Sequence, residues 1–451
     1  MRYKTPTSSA SRGERAQPTS RSPEEDALLE KAARLLPGGV LGGYSVPREL
    51  SFVVREARGP RLRDVSGREY IDYILGSGPL VLGHAHPAVV AAVERQLGRG
   101  TTYFQLSEPA LELAEEICRA VPCAEQIRFT SSGSEATFVA LRLARAFTRR
   151  DKILKFEGGF HGTHDYSLMS VEPRSPKAFP APTPDSAGIP HAIQEQVLVA
   201  PFNDLAETDA IVAAHRQELA AVIVEPFQRL IAPRRDFLHG VREITRRHDI
   251  PLVFDEIVTG FRFAYGGAQE YYGVVPDLVA LGKIIGGGFP LAAVAGRRDI
   301  MRHLSPDLAG SPDFVAQAGT LNGNPVAAAA GLATLAELRK PGTYARLFAT
   351  GARIKGALEE AARRAGLPAQ VAGEAPVFEI YFTDRPITDY RSTLAADRER
   401  HAAFTRALLE RGVVKASHKF YVSLAHGEAE VQRTSEVFTA ALAAVACQRG
   451  A

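Results

Sequence analysis

Two apolar segments of the chain end in residues that could do chemistry together. Residues 252–256 are apolar up to Asp255, and residues 278–288 run from an apolar stretch into Lys283 and a glycine-rich turn. Each segment is typical of a buried parallel strand. Ligands of α/β sheets bind beyond the carboxyl ends of strands, so Asp255 and Lys283 are expected to face one crevice. These segments alone also allow the interpretation that Asp255 caps a helix and Lys283 is a solvated loop residue.

A carboxylate beside a lysine amine suits the chemistry of pyridoxal phosphate (PLP). A lysine amine can form a Schiff base with an aldehyde, and PLP needs such a lysine together with an acidic partner for its pyridinium nitrogen. Asp255 would keep that nitrogen protonated, so that the ring can take up electrons released at the Cα of a substrate. Lys283 and Asp255 are therefore the candidate catalytic pair.

A second candidate site follows the strand predicted at residues 126–130. The small residues Ser132, Gly133 and Ser134 lead into a helix predicted at residues 135–149. The amino terminus of a helix attracts anions through its free N–H groups and its dipole, and the two serine hydroxyls add donors. The same residues could supply an ordinary helix cap, so a phosphate site and a plain cap both stay open.

Three loops contain further residues of interest. Glycines flank Phe160 and His161, which indicates a loop that presents both rings to a ligand, or else a flexible loop with a packed Phe160. Residues 172–192 form a long proline-rich loop, which favours a functional role. A polar turn at residues 319–325 precedes an alanine-rich helix and could be ordinary capping. No metal site is predicted, because the histidines near residue 85 have no third ligand nearby.

Composition excludes several classes of protein. The chain has 451 residues, with 45% hydrophobic and 23% charged residues and a net charge of +3, which favours neither nucleic-acid nor membrane partners. Its three cysteines, Cys118, Cys123 and Cys447, are too sparse for a disulfide framework and indicate a reducing, cytoplasmic location. Residues 1–25 are rich in Ser, Thr, Arg and Pro and predict a disordered tail, with an organelle transit peptide as the other interpretation.

The periodicities predict an α/β fold with a second lobe. Strand and helix signals alternate from about residue 126 to 297, which indicates βαβ units and a mostly parallel sheet. Residues 52–73 predict a short antiparallel meander. Strands near 377–382, a helix near 397–411 and a strand pair near 413–424 predict an α+β lobe.

The ordered motifs resemble the class III PLP-dependent aminotransferases. Ser-Gly-Ser-Glu-Ala at 132–136, Phe-Asp-Glu at 254–256, Gly-Lys at 282–283 and Gly-Thr at 319–320 follow the order of that family. The resemblance spans about residues 35–440. It is strongest to the branch with glutamate-1-semialdehyde aminomutase, D-phenylglycine aminotransferase and β-phenylalanine aminotransferase.

The resemblance implies PLP fold type I and a homodimer with shared active sites. Residues 76–325 would form a large PLP domain around a seven-stranded, mostly parallel sheet. Residues 26–75 and 326–451, from both termini, would form the small α+β domain.

The resemblance also implies a role for each residue at a motif position. Lys283 would form the Schiff base and carry a proton between Cα and C4′, and Asp255 would pair with the pyridine nitrogen. Glu225 and Asn203 lie at positions that orient the surroundings of the ring. The implied cofactor-binding residues are Ser132, Gly133, Ser134, Phe160, His161, Glu225, Asp255, Ile257, Lys283 and Thr320. Among them, Gly133 and Ser134 would bind phosphate, Phe160 would stack on the ring, and Thr320 would reach the phosphate across the dimer interface.

The substrate segments differ from those of the aminomutase. That enzyme has an Asn-Ser-Pro-Val-Arg run where this chain has residues 41–48, with Arg48 not clearly equivalent. It has Ser-Trp-Gly-Pro where this chain has Gly-Ser-Gly-Pro at 76–79, and its glutamate-bearing loop is shortened here to residues 417–422. We therefore expect a ping-pong aminotransferase that moves an amino group from an amino donor to a separate keto acid or aldehyde. Glutamate-1-semialdehyde 2,1-aminomutase is the alternative.

Overall fold

The structure is a computed structural model that describes residues 21–42 and 46–447. Within these ranges the strands are β1 (Val54–Arg58), β2 (Arg61–Asp64), β3 (Glu69–Tyr73), β4 (Gln126–Thr130), β5 (Lys152–Phe156), β6 (Val197–Ala200), β7 (Leu219–Val224), β8 (Leu252–Glu256), β9 (Leu278–Leu281), β10 (Ala292–Gly296), β11 (Gln370–Glu374), β12 (Val377–Tyr381), β13 (Val413–Lys415) and β14 (Phe420–Tyr421).

The α-helices connect these strands and cover the sheets. In chain order they are α1 (Pro23–Leu35), α2 (Pro87–Leu97), α3 (Glu108–Ala120), α4 (Gly133–Thr148), α5 (His191–Gln194), α6 (Leu205–His215), α7 (Phe237–Arg247), α8 (Gly267–Tyr272), α9 (Arg298–Met301), α10 (Pro325–Leu338), α11 (Thr343–Arg364), α12 (Tyr390–Thr393), α13 (Arg398–Glu410) and α14 (Glu428–Cys447). None of those in the described part of the chain is long and apolar enough to cross a membrane.

A seven-stranded sheet is the centre of the fold. Its order is β4-β10-β9-β8-β7-β5-β6, and β10 is antiparallel to both of its neighbours while the other pairs are parallel. Strands β7 and β8 are buried along their whole length, as expected for parallel strands covered on both faces. Helix α4 packs its apolar residues against one face. The predicted mostly parallel sheet is therefore confirmed.

Two smaller sheets lie outside the central one. Strands β1, β2 and β3 form the predicted antiparallel meander, and β13 joins β3 in parallel, so this sheet combines strands from both ends of the chain. Strands β11, β12 and β14 form the other sheet. The two strands predicted near 413–424 are present as β13 and β14, but they belong to different sheets, and an isolated antiparallel bridge between Ala416 and Lys419 joins their ends. The domain boundaries at residues 75 and 325 stay predictions.

The disordered tail predicted for residues 1–25 is too long, because residues 21–25 belong to the fold. Residues 1–20 lie outside the described residues, but helix α1 begins at Pro23 with Ser22 as its cap. The buried carboxylate of Glu25 accepts hydrogen bonds from the Ser66 hydroxyl and, at 2.7 Å, from the backbone N–H of Val53. A fully satisfied buried carboxylate orders this segment, and the composition of residues 21–25 gave no sign of it.

Candidate active site

Lys283 and Asp255 lie at the carboxyl ends of two adjacent strands. Asp255 is the penultimate residue of β8 and pairs in register with Ala280 of β9, and Lys283 follows β9 by two residues. Lys283 has a φ of +49°, in the left-handed region that side chains other than glycine seldom adopt. Such conformations are concentrated at functional sites. The predicted shared crevice is thus consistent with the strand register.

Burial and neighbouring charges shift both groups of this pair. Burial lowers the pKa of the Lys283 amine, and the charges of Lys419 and Arg262 act in the same direction, whereas Tyr421 and Asp255 oppose them. Burial raises the pKa of Asp255 to about 7. A lowered pKa leaves more of the lysine as the free amine, which is the nucleophilic form.

His161 holds the Asp255 carboxylate. Its Nδ1 lies 2.8 Å from Asp255 Oδ2, and the backbone N–H of Ile257 donates to Oδ1 at 3.1 Å. Burial lowers the pKa of His161 to about 3, so its imidazole is neutral and can donate Nδ1–H to Asp255 when that carboxyl is charged. The hydroxyl of Thr137 on α4 donates to the carbonyl of His161 at 2.6 Å and fixes the backbone. His161 therefore acts on Asp255, a contact that sequence proximity to Phe160 did not reveal.

Glu225 positions the loop that carries Phe160. One carboxylate oxygen accepts the backbone N–H of Phe160 at 2.7 Å, and the other accepts that of Arg229 at 2.9 Å. The ring of Phe160 is 41% exposed, so one side of it is accessible to a ligand. The guanidinium carbon of Arg229 lies 5.8 Å from the centre of this ring.

The amino terminus of α4 has a helix cap and leaves backbone amides that could bind an anion. Ser132 caps the helix by accepting the N–H of Glu135 at 3.2 Å, and Glu135 bonds back to the N–H of Ser132 at 3.0 Å. The next amides, of Gly133 and Ser134, have no carbonyl within the helix to bond, so they remain available to an anion. The hydroxyl oxygen of Ser134 accepts the N–H of Thr163 at 3.0 Å. The cap and the phosphate site, which were open alternatives, are compatible in one structure.

Ile257 packs between the two glycine turns of the site. A Cβ built on Gly133 would lie 3.0 Å from the Cδ1 of Ile257, and a Cβ on Gly282 would lie equally close to it. Both glycines are thus favoured by close approach rather than by backbone angle. A Cβ at either position would make the side chain of Ile257 shift by a few tenths of an ångström.

Three predicted residues are not brought to this site by the described contacts. Thr320 is exposed on a turn. The Asn203 amide donates to the carbonyls of Ala232 and Thr388 at 3.1 and 2.8 Å, so it joins loops instead of contacting the ring surroundings. Arg48, which is not clearly equivalent to the arginine of the aminomutase, is exposed in a short 3₁₀ helix, and residues 43–45 of the same segment lie outside the described residues.

Two cations lie beside Tyr421, close to Lys283. The guanidinium carbon of Arg262 is 5.1 Å from the ring centre of Tyr421, and Nζ of Lys419 is 5.9 Å from it. Arg262 is fully buried, donates through Nη2 to the carbonyl of Gly78, and has no hydrogen-bond partner for Nη1 among the described residues. Sequence reasoning missed Arg262, although an arginine within the apolar run after Asp255 was a signal.

The chain matches the family model described as aminotransferase class-III over residues 44–442. It belongs to this family. It is 44% identical over 420 residues to a glutamate-1-semialdehyde 2,1-aminomutase of Pelotomaculum thermopropionicum, covering 91% of this chain and 95% of the relative. An omega-transaminase structure from Sphaerobacter thermophilus is 38% identical, with a TM-score of 0.87 and coverage of 93% and 97%. A β-phenylalanine aminotransferase from Variovorax paradoxus is 29% identical, with a TM-score of 0.82 and 93% coverage of both chains.

This class-III family member is a PLP-dependent enzyme of fold type I, and its residues fit the cofactor. Asp255 is buried, and its hydrogen bonds in the described structure come from the neutral His161 ring and a backbone N–H. A protonated pyridine nitrogen would give this carboxylate the positive partner that stabilises its charge. The free amides at the start of α4 would hold the phosphate, Phe160 would face the ring, and Lys283 would hold the aldehyde.

Proposed function

We propose that this class-III enzyme transfers an amino group from an amino donor to a separate keto acid or aldehyde in a ping-pong reaction. The observation that carries the proposal is the joint placement of Lys283, Asp255 and His161 beyond the carboxyl ends of β8 and β9. When bound, PLP supplies an aldehyde for amines and a ring that takes up electrons released at the substrate Cα.

Each residue of the site has a separate task in this reaction. The lowered pKa of Lys283 suits its amine to take the proton from the substrate Cα and return it at the cofactor C4′. Asp255 holds a proton on the ring nitrogen, and His161 keeps the Asp255 carboxylate oriented. Glu225 fixes the Phe160 backbone, so the aromatic ring is held at one face of the site.

The cations near Lys283 support a proposal for the substrate class. A carboxylate needs a cation in its pocket, and an arginine or lysine can supply one. Arg262 and Lys419 both lie near Tyr421, whereas Arg48 is exposed. We therefore propose that the donor or acceptor carries an acidic group recognised by Lys419 and by Arg262, whose Nη1 has no hydrogen-bond partner among the described residues.

Glutamate-1-semialdehyde 2,1-aminomutase activity is the second candidate. Curated relatives that are 41–44% identical to this chain carry that name, and by name they favour this reaction over transfer between two substrates. The missing tryptophan, the shortened loop of residues 417–422 and the changed segment 41–48 favour the first reaction. In the aminomutase reaction a single molecule is both donor and acceptor.

One incubation separates the two reactions. With glutamate-1-semialdehyde and PLP but no other donor or acceptor, we expect 5-aminolevulinate to be absent or slow. With a panel of amino donors and either pyruvate or 2-oxoglutarate, we expect the amino product to form only when both substrates are present. Rapid, stoichiometric 5-aminolevulinate would reject the first proposal in favour of the second. In that case the Arg48→Ala and Lys419→Ala variants would show which cation holds the carboxylate.

We also propose that the enzyme is a cytoplasmic homodimer with shared active sites. Thr320 is exposed on its turn and makes none of the described contacts of the phosphate site, which supports a role in the partner's site. The free thiols of Cys118 and Cys123 support a reducing compartment.

Subunit mixing tests the shared site. Lys283→Ala and Thr320→Ala homodimers should each be impaired, and their heterodimers should regain activity because one of the two sites carries neither change. Activity is measured after subunit exchange has been verified by mass spectrometry. A Lys283→Ala subunit mixed with another inactive Lys283 variant is the control and should regain nothing. An absence of recovery in the verified Lys283/Thr320 heterodimer would contradict sharing.

A further inference from the structure

Lys155 is a fully buried lysine in the middle of an apolar strand. It lies on β5 with none of its surface exposed, and it pairs in register with Val199 of β6 and Ile223 of β7. Those two residues and Ile153 belong to the core that packs against α4. Burial lowers the pKa of Lys155 to about 7, because the charged form is costly in such surroundings unless its donors are satisfied.

Three backbone carbonyls satisfy the ammonium group. Nζ of Lys155 donates to the carbonyls of Gly159 at 2.9 Å, Ser167 at 3.0 Å and Met169. An ammonium has three N–H donors, so all of them are used. No carboxylate of the described residues lies within ion-pair distance of it, so Lys155 is held by peptide dipoles. All three carbonyls belong to the loop of residues 157–171.

That loop carries the residues that face the cofactor. Phe160 and His161 follow Gly159 directly, and the carbonyl of Gly159 is one of the three bound by Lys155. Gly162 comes next, and a Cβ built on it would lie 2.6 Å from Ser134 at the start of α4. A small displacement of the loop would therefore disturb both the ring contacts and the anion site.

We propose that Lys155 is a positioning residue for PLP: its ammonium ties three carbonyls of the loop 157–171 together and so fixes Phe160 and His161 against the cofactor. This role is the same for either candidate reaction. It also goes beyond them, because it concerns how the site is assembled and not which substrate is used.

The charge of Lys155 has a second effect on the same loop. After burial, it is the largest cause that lowers the pKa of His161, and it also lowers that of His164. A neutral His161 donates Nδ1–H to Asp255 and leaves the carboxylate its negative charge for the ring nitrogen. A protonated His161 would neutralise that charge. Lys155 therefore supports Asp255 through His161, without touching either the carboxylate or the cofactor.

Two variants and a matched control test the proposal. Lys155→Met keeps the length of the side chain but removes the charge and the three donors, and Lys155→Gln keeps two donors without the charge. Lys152→Met is the control, because Lys152 lies on the same strand and pairs with Glu218 at the surface. The measurements are the Kd of the cofactor-free protein for PLP, hydrogen exchange of residues 157–171 in that protein, and the pH dependence of the visible absorption of the loaded enzyme.

We expect Lys155→Met to raise the Kd for PLP by about tenfold or more, since several hydrogen bonds to a charged group are lost, and to speed exchange in the loop. In Lys155→Gln, residues 157–171 should exchange at a rate between those of the wild type and Lys155→Met. The visible absorption of this variant should titrate at a higher pH than that of the wild type, because a positive charge has been removed. Lys152→Met should match the wild type in all three measurements. If Lys155→Met does not fold, the same criteria apply to Lys155→Gln. If the variant has the wild-type Kd for PLP and the wild-type absorption titration, even with faster exchange in the loop, Lys155 supports only the fold and the proposal is overturned.

Discussion

Replacing Lys283 with alanine is expected to abolish turnover, with a loss on the order of 10⁴-fold or more. The variant loses both the amine that holds the aldehyde of PLP and the base that moves the Cα proton. The purified wild type should be yellow, and the variant should lose that visible band while it still binds PLP noncovalently. Absorption spectra and a coupled assay with a confirmed donor and acceptor measure both effects.

A variant of the neighbouring Lys419 and rescue by added amines serve as controls for the Lys283→Ala test. Lys419→Ala removes a second cation close to Lys283 and should leave the visible band in place, since its amine does not hold the cofactor. Small alkyl amines added to Lys283→Ala should restore part of the activity, because they can replace the missing base. Normal turnover by Lys283→Ala would contradict the assignment of Lys283.

Asp255→Asn is the second large effect we expect, with a loss on the order of 10²-fold or more. A neutral amide does not favour a protonated pyridine nitrogen, so the ring takes up electrons less readily. Each tenfold loss corresponds to about 1.4 kcal/mol of barrier. Single-turnover rates at saturating PLP separate this loss of chemistry from weaker cofactor binding.

Glu256 offers a matched control for Asp255. It is the next residue of β8, it is also buried, and burial raises its pKa to about 7 as well. Its carboxylate, however, accepts the side-chain amide of Gln269 at 3.0 Å and the N–H of Ala268 at the start of α8. Glu256→Gln should therefore affect stability more than the single-turnover rate. An unchanged single-turnover rate in Asp255→Asn would refute the role of Asp255.

The local pattern of apolar and polar residues was sufficient to predict the strands and the helix that carry the candidate site residues. Parallel strands buried on both faces have continuous apolar runs, so β7 and β8 were visible in the sequence, and the carboxyl end of β8 placed Asp255 in a crevice. The small residues 132–134 predicted a helix from residue 135, and the helix begins two residues earlier, at Gly133, with Ser132 as its cap. The order of these motifs also carried the family resemblance, which the match over residues 44–442 confirms.

Contacts between residues that are distant in the chain decided which strands pair and which side chains meet, and the local sequence pattern shows neither. Strand β13 pairs with β3, more than 300 residues earlier in the chain, and no periodicity within either strand encodes that partner. The bond of His161 to Asp255 joins residues 94 positions apart. Arg262 and Lys419 are far apart in the chain, and the fold places both of them beside the ring of Tyr421.

The sequence by itself determined which residue types can act on PLP and on which strand ends and helix terminus they stand. Spacing and hydrophobic period are local properties that placed Lys283, Asp255 and the turn before α4 at strand ends and a helix start, and the order of the motifs then implied their roles by resemblance to the family. Only the tertiary structure decided how these groups are held and charged. Lys155 is a plain lysine in the sequence, and only folding surrounds it with the carbonyls of Gly159, Ser167 and Met169. A pKa depends on burial and on neighbours distant in the chain, so the neutral state of His161 and the lowered pKa of Lys283 follow from the fold alone.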